Sequence, residues 1–385
     1  AEIKEGLIPV NMFYVSQSLT DNLSAEAFYQ LEWDQTVTDN CGTFFSQPDV
    51  ISDGCSNNLR VLNKRSTIPA AALPTLGALG VDVNSEGVLV RRGPDRDARD
   101  SGQFGVAMRY NFEPLDTEFG AYFMNYHSRD PILSAGAAPQ SAYNAAAGAG
   151  GLAPMIVAGN SSYYVEYPED IRLYGASFST TLRTGTAWTG EISYRPNAPV
   201  QVNTNDLTLA LLNPIAGGAA SPIKTSLGAD NTGYRRKEIT QIQSTMTQFF
   251  DQVLGAERLT LVGEAAIVHV GGLEDKSKLR YGRDSVYGAY GFQGDTDGFV
   301  TANSWGYRAR AILDYNNAIA GVNLKPNLSW SHDVNGYGPT EATVALAVPS
   351  YAPHCASTTP TGYTCPELTR APARAFLSCL CGSER

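Results

Sequence analysis

The stretch Asn303–Asp333, NSWGYRARAILDYNNAIAGVNLKPNLSWSHD, decides the fold. Trp305, Tyr307, Ala309, Ala311, Leu313 and Tyr315 stand at every second position, with Arg308, Arg310 and Asp314 between them. Side chains of an extended chain alternate between two faces, so this pattern predicts a strand with one apolar and one polar side. Beyond Asn317-Ala318-Ile319-Ala320 the pattern returns, with Val322, Leu324, Leu328 and Trp330 set against Asn323, Lys325, Asn327, Ser329 and Asp333. The two runs predict a hairpin.

The same unit recurs along the chain. Asn11 to Leu19 pairs with Leu23 to Trp33 across Thr20-Asp21-Asn22, and Phe104 to Phe112 with the run after Glu113-Pro114-Leu115-Asp116. On the latter run Gly120, Tyr122, Met124 and Tyr126 are expected on the apolar side. Ile171 to Leu182 pairs with Trp188 to Val202 around Arg183-Thr184-Gly185, and Lys237 to Phe250 with Leu259 to Val270 around Leu254-Gly255-Ala256. About ten strands result, with tight turns at one end and connections of dozens of residues at the other. The segment Ala135 to Gly151 within one of those connections reads as a flexible or partly helical loop, possibly folded inward.

Three features set this pattern apart from a soluble β-sandwich, whose connections are short at both ends and whose outer face is polar. Turn lengths are asymmetric, aromatics such as Trp188 with Tyr194 and Trp305 with Tyr315 cluster near strand ends, and the apolar stripe recurs on every hairpin. Short periplasmic turns, long extracellular loops and aromatic girdles belong to barrels that cross a membrane with strands. Helical crossing is excluded, since no stretch approaches the roughly 20 unbroken apolar residues a membrane helix needs. The expected fold is therefore all-β, an antiparallel transmembrane β-barrel, incomplete in this chain, in the bacterial outer membrane with lipid and lipopolysaccharide as its surroundings. The opening AEIKEGLIPV has no basic start, apolar middle or cleavage site, so a secretory signal is either already removed or lies before Ala1.

A net charge of -10 without a basic run excludes nucleic acid as a partner. Cys41 and Cys55 lie in one polar loop and fit a disulfide formed in an oxidising compartment, the alternative being two free thiols; bonding is the expectation. Neither this pair nor the C-terminal group Cys355, Cys365, Cys379 and Cys381 has zinc-ligand spacing. Catalysis is not expected: there are four His, and His127 and Ser128 are neighbours whose side chains would point to opposite faces of a strand. Asp295-Thr296-Asp297-Gly298 opens like a calcium loop but has no acid at the twelfth position, and Gly148 to Gly151 lacks the Lys-Ser or Lys-Thr of a phosphate cradle. No cofactor or metal is implied.

The polar faces of the strands offer the candidate functional residues Glu26, Glu32, Arg109, Glu191, Arg195, Glu264, Arg308, Arg310, Asp314, Lys325 and Asp333. Inside a barrel such charges either pair into structural ladders or line an aqueous path. As pore-lining residues we single out Arg109, Glu191, Glu264, Arg308, Arg310, Asp314 and Lys325, with Arg308 and Arg310 as an anion-attracting or gating pair. A channel for small or hydrophobic solutes is one expectation; a plugged surface-structural or binding protein acting through its extracellular loops is the other.

The stretches EIKEGLIPVNMFYVSQSLTDNLSAEAFYQLEW, RDARDSGQFGVAMRYNF, EYPEDIRLYGASFSTTL, GYRRKEITQIQSTMTQFF and LVGEAAIVHVGG resemble a proteobacterial outer-membrane barrel family, domain-of-unknown-function family 1302. The resemblance spans Glu2 to about Gly338 and implies the location and architecture, a periplasmic lipid-handling partner and movement of hydrophobic molecules; it implies no catalytic residues. Residues 1–339 are thus expected to form the partial barrel. From Thr340 to Arg385 the alternation is lost and Pro349, Pro353, Pro360, Pro366 and Pro372 accumulate, so this tail is expected to lack strand pairing, as after a frameshift or truncation.

Overall fold

A computed structural model describes residues 8–44, 50–52, 54–62, 68–218, 220–225, 227–283, 298–319 and 321–339, with the backbone of Arg374–Cys381. Its dominant element is one antiparallel meander: β1 (Met12–Ser18), β2 (Leu23–Gln30), β3 (Gln103–Phe112), β4 (Thr117–Tyr126), β5 (Ile171–Thr181), β6 (Ala187–Gln201), β7 (Tyr234–Val253), β8 (Ala256–Gly271), β9 (Asn303–Ile319), β10 (Val322–Asn335) and β11 (Arg374–Cys381). Each strand pairs with its neighbours in chain order, giving an eleven-stranded sheet with β1 and β11 at its two edges. The sheet is open. The five expected hairpins are all present, with their registers continuous except at bulges between Arg195 and Ala198 in β6 and near Trp305 and Tyr315 in β9.

The register sorts the side chains into two faces. One cross-strand row runs Ala25, Met108, Ala121, Ala176, Ile192, Ile242, Ile267, Trp305 without a polar residue. Within it Met108, Ile192, Ile242, Ile267 and Trp305 are exposed. One residue away on each strand, the opposite face carries Ser24, Arg109, Gly120, Ser177, Glu191, Gln243, Ala266, Gly306 and Asp333. One assignment is corrected. Gly120, Tyr122 and Met124 lie on the polar face, and β4 turns Phe119, Ala121 and Phe123 to the apolar one.

At one end the strands are joined by tight turns. Between β7 and β8 the turn is Leu254-Gly255, with φ of 55° and 79°, the left-handed pair that matches the twist of a two-residue hairpin. Leu254 adopts this conformation with its side chain 81% exposed, so its branched side chain meets a steric cost and no packing gain.

The long connections at the other end do not behave as loops. They fold into a cap with short strands of its own and helices at Leu73–Ala78, Gln140–Ala146, Ala153–Asn160 and Thr204–Ala210. Ile132–Gly136 pairs with Ser162–Glu166 at the centre of a four-stranded sheet. The segment Ala135 to Gly151 is partly helical, as one of the two expectations had it, with a helix at Gln140–Ala146 and its first two residues in the strand Ile132–Gly136. The molecule's buried hydrophobic residues are concentrated here. Leu76, Val88, Val90, Ile156, Val157 and Val165 form one cluster, drawn from the first two long connections. Val202, Leu207, Leu211 and Tyr281 form a second, which reaches the strand ends through Val200, Ile239 and Val270. Beneath the second cluster Arg280 donates to both carboxylate oxygens of Asp206, Nε to Oδ2 at 2.6 Å, both side chains being buried. Cys41 and Cys55 are disulfide-bonded, with Cα atoms 5.4 Å apart.

Of the tail, the described part is the backbone of Arg374–Cys381, and it pairs antiparallel with Leu324–Ser331 of β10. For these residues the expectation of no pairing is corrected. They follow Pro372, so every backbone N–H is available, and the edge of β10 offers the complementary row. The calcium-like residues Asp295 to Asp297 lie outside the described residues.

Two outcomes follow for stability. Replacing Leu254 by Asn removes the steric cost at φ 55° and should stabilise the folded protein by about 1 kcal/mol, read as a higher urea midpoint; an unchanged midpoint would contradict the turn assignment. In the cap, burial pushes the phenols of Tyr143, Tyr163, Tyr167 and Tyr281 up, and that of Tyr164 to about 12. In the unfolded chain these phenols titrate near 10. Because the folded cap holds its phenol protons more tightly, its stability is intact below about pH 10 and is lost as pH rises through the folded values. Near-ultraviolet dichroism should collapse between about pH 10 and 12 while far-ultraviolet strand signal persists; simultaneous loss of both would show that cap and sheet unfold as one.

Candidate functional site

The polar face of the sheet is built by alternation alone. A second row on it runs Asn111, Glu118, Ser179, Thr189, Thr245, Glu264, Arg308, Ser331. Arg310 lies two residues along from Arg308, paired in register with Ser329, and Asp314 shares their face with Lys325. Arg109, Glu191, Glu264, Arg308, Arg310, Asp314 and Lys325 are thereby brought onto one surface, together with Glu26, Arg195 and Asp333. Glu32 is not; it lies past the end of β2, where its carboxylate accepts from the backbone and side chain of Asn11 at 2.8 and 3.1 Å.

Pairing divides these charges. Arg109 Nη1 meets Glu26 Oε1 at 2.6 Å, Lys325 Nζ meets Asp314 Oδ1 at 3.3 Å, and Arg258 Nε meets Asp251 Oδ1 at 3.3 Å. Arg308 and Arg310 are exposed and make no ion pair among the described residues. Glu264 stands opposite Arg308 in register, yet its carboxylate is turned to β7, where it accepts long hydrogen bonds from Gln243 Nε2 and Thr245 Oγ1, both 3.4 Å. Glu191 is exposed in a groove of about 210 Å³ between Ser177, Ser179, Thr189, Gln243 and Thr245. Opposite charges on this face are thus partly laddered and partly left to solvent.

Tyr122 belongs to the same surface, although the sequence placed it elsewhere. Its ring lies across Gly120, where a Cβ would come within 2.2 Å of the hydroxyl, and that hydroxyl is 2.9 Å from Ser177 Oγ. The signal that could have found it is Gly120 itself, since a glycine within a strand marks the close approach of another group.

Compared with known proteins, the chain matches a family model. The model of a family described as "Protein of unknown function (DUF1302)" covers residues 1–352. The chain belongs to this family. No curated protein and no solved structure matches it. Membership in the DUF1302 family agrees with the expected resemblance and extends it past Gly338 to Ala352, into the first residues of the stretch from Thr340 that was expected to depart from it.

Proposed function

We propose that the large sheet is the wall of a bacterial outer-membrane β-barrel whose polar face lines a passage for small or hydrophobic solutes. The observation that carries this reading is the unbroken apolar row from Ala25 to Trp305, exposed at Met108, Ile192, Ile242, Ile267 and Trp305. In water so wide an apolar surface would drive association. Against hydrocarbon it is the expected solvent face, and the antiparallel ladder satisfies the backbone groups between its edges. Outer-membrane lipid is then the partner of this face, and lipopolysaccharide that of its outer-leaflet part. The cap at the long-connection end lies outside the bilayer.

On the polar side Arg308 and Arg310 are the residues we assign to selectivity. Two guanidiniums roughly 7 Å apart along one strand face, without carboxylate partners among the described residues, set up a positive potential that a narrow passage screens poorly. The cap favours a second reading, because long connections with their own hydrophobic clusters can plug a barrel or act as a binding surface.

Planar-bilayer recording of the full chain under a salt gradient separates the two. A selective conductance is expected, and Arg308→Ala with Arg310→Ala should move its reversal potential toward cations. Unchanged selectivity in a conducting double variant would reject the lining role, and absence of any conductance would favour the plugged, cap-dependent protein.

A further inference from the structure

The groove at Glu191 has a chemistry that passage of ions does not use. Besides Phe178 and Gly190, its lining combines one exposed carboxylate, the hydroxyls of Ser177, Ser179, Thr189 and Thr245, and the amide of Gln243. Glu191 has neither an ion pair nor a side-chain hydrogen bond among the described residues. Among the described residues the side chains of Gln243 and Thr245 are held by long 3.4 Å contacts to Glu264, which a bound molecule can replace. Beside the groove stands the Tyr122 ring, laid over Gly120 and fixed by its hydroxyl to the groove residue Ser177.

From these groups we infer a subsite for a hydroxylated ring compound of the sugar type. A sugar presents hydroxyls that both donate and accept, which suits a carboxylate acceptor interleaved with Ser and Thr hydroxyls and the two-sided Gln amide. Its carbon-bound hydrogens form an apolar patch for an aromatic face such as that of Tyr122. An organic ammonium is the competing ligand. It would use the Glu191 charge and the ring, but a quaternary ammonium such as choline brings a single hydroxyl, which can match only part of the donors of Gln243 and the four hydroxyls. The subsite rests on the polar face of the sheet being open to water; it does not require that the face conduct.

The test is equilibrium binding to the full chain in detergent, followed by saturation-transfer NMR with maltose and, separately, choline. Saturable maltose binding is expected, with choline weaker. Removing a charged hydrogen-bonding group, as in Glu191→Ala, should lower maltose affinity by about tenfold or more. Tyr122→Phe keeps the ring but releases it from Ser177 and should cost severalfold, whereas Gly120→Ala, which forces the ring off its seat, should abolish binding. Retained far-ultraviolet strand signal in the Glu191 and Tyr122 variants shows that a loss reflects the site. If Gly120→Ala fails to fold, those two variants decide alone. Choline bound in preference to maltose, no saturable maltose binding, or unchanged affinity in Glu191→Ala would each overturn the subsite. Conductance without maltose binding would reject the subsite and keep the passage, and maltose binding without conductance would do the reverse.

Discussion

A strand has two faces and no third, and everything else in this protein depends on that constraint. With ten consecutive strands paired from β1 to β10, parity assigns residues to the apolar or the polar surface between the bulges. A slip of one residue at β9 would set Arg308 opposite Gly263 or Ala265 on the apolar face and Tyr307 or Ala309 opposite Glu264. In a bilayer an arginine on the lipid side costs roughly 2–4 kcal/mol near the midplane, so alternate registers are penalised on both faces at once. Glycines add steric marks to the same register. Phe178 lies over Gly190, where a Cβ would meet its ring at 2.3 Å, as Tyr122 lies over Gly120 on the other face.

Burial is divided unusually between the parts. The sheet keeps its large apolar side chains exposed, while the aliphatic core is in the cap. The two are nevertheless joined. Buried His127 accepts from the Asp170 backbone N–H at Nδ1 (3.0 Å), which leaves the proton on Nε2 to donate to Ser101 O (2.9 Å). One neutral imidazole thus ties together the approaches to β3 and β5 and the exit of β4. Next to it Arg99 donates to Asp170 and Glu169, and this hydrogen bonding holds the Asp170 carboxyl below its ordinary range. The cap is seated on the strand ends by groups that would lose their partners if it swung away.

How much of this could be read in advance follows from where the information lies. The hairpins were legible because alternation is local: Trp305 to Tyr315 declares its faces within eleven residues. Strand β4 was misread because aromatics occupy both faces, Phe119 and Phe123 on one and Tyr122 and Tyr126 on the other, so parity alone could not choose. The cap was hidden for a different reason. Its core is assembled from short apolar runs such as Gly87–Leu89, Ile132–Gly136 and Ser162–Glu166, separated by stretches rich in Gly, Ala and Pro. Such runs become a core only through long-range contact, and the Asp206–Arg280 pair spans 74 positions. Cys41 and Cys55 were readable because their spacing closes a short loop. Parity groups Arg109, Glu191, Glu264, Arg308 and Arg310 on one face but misplaces Glu32, which lies past the end of β2, and which charges pair depends on side-chain direction, which parity does not contain.

That last distinction bears on what covers the polar face. Glu264 stands level with Arg308 and could have paired with it, yet its carboxylate is directed to Gln243 and Thr245. In water this choice is inexpensive, since an exposed ion pair contributes only about 0–1 kcal/mol. In a dry interior it would be severe, because an uncompensated guanidinium pays several kcal/mol of desolvation. Arg308 and Arg310 on β9, without ion pairs among the described residues although Glu264 stands level on β8, fit a wet surface, and the exposed Met108, Ile192 and Ile267 on the opposite face fit a dry one. The two surfaces are separated by the thickness of a single sheet, which is what the proposed wall between water and lipid would need.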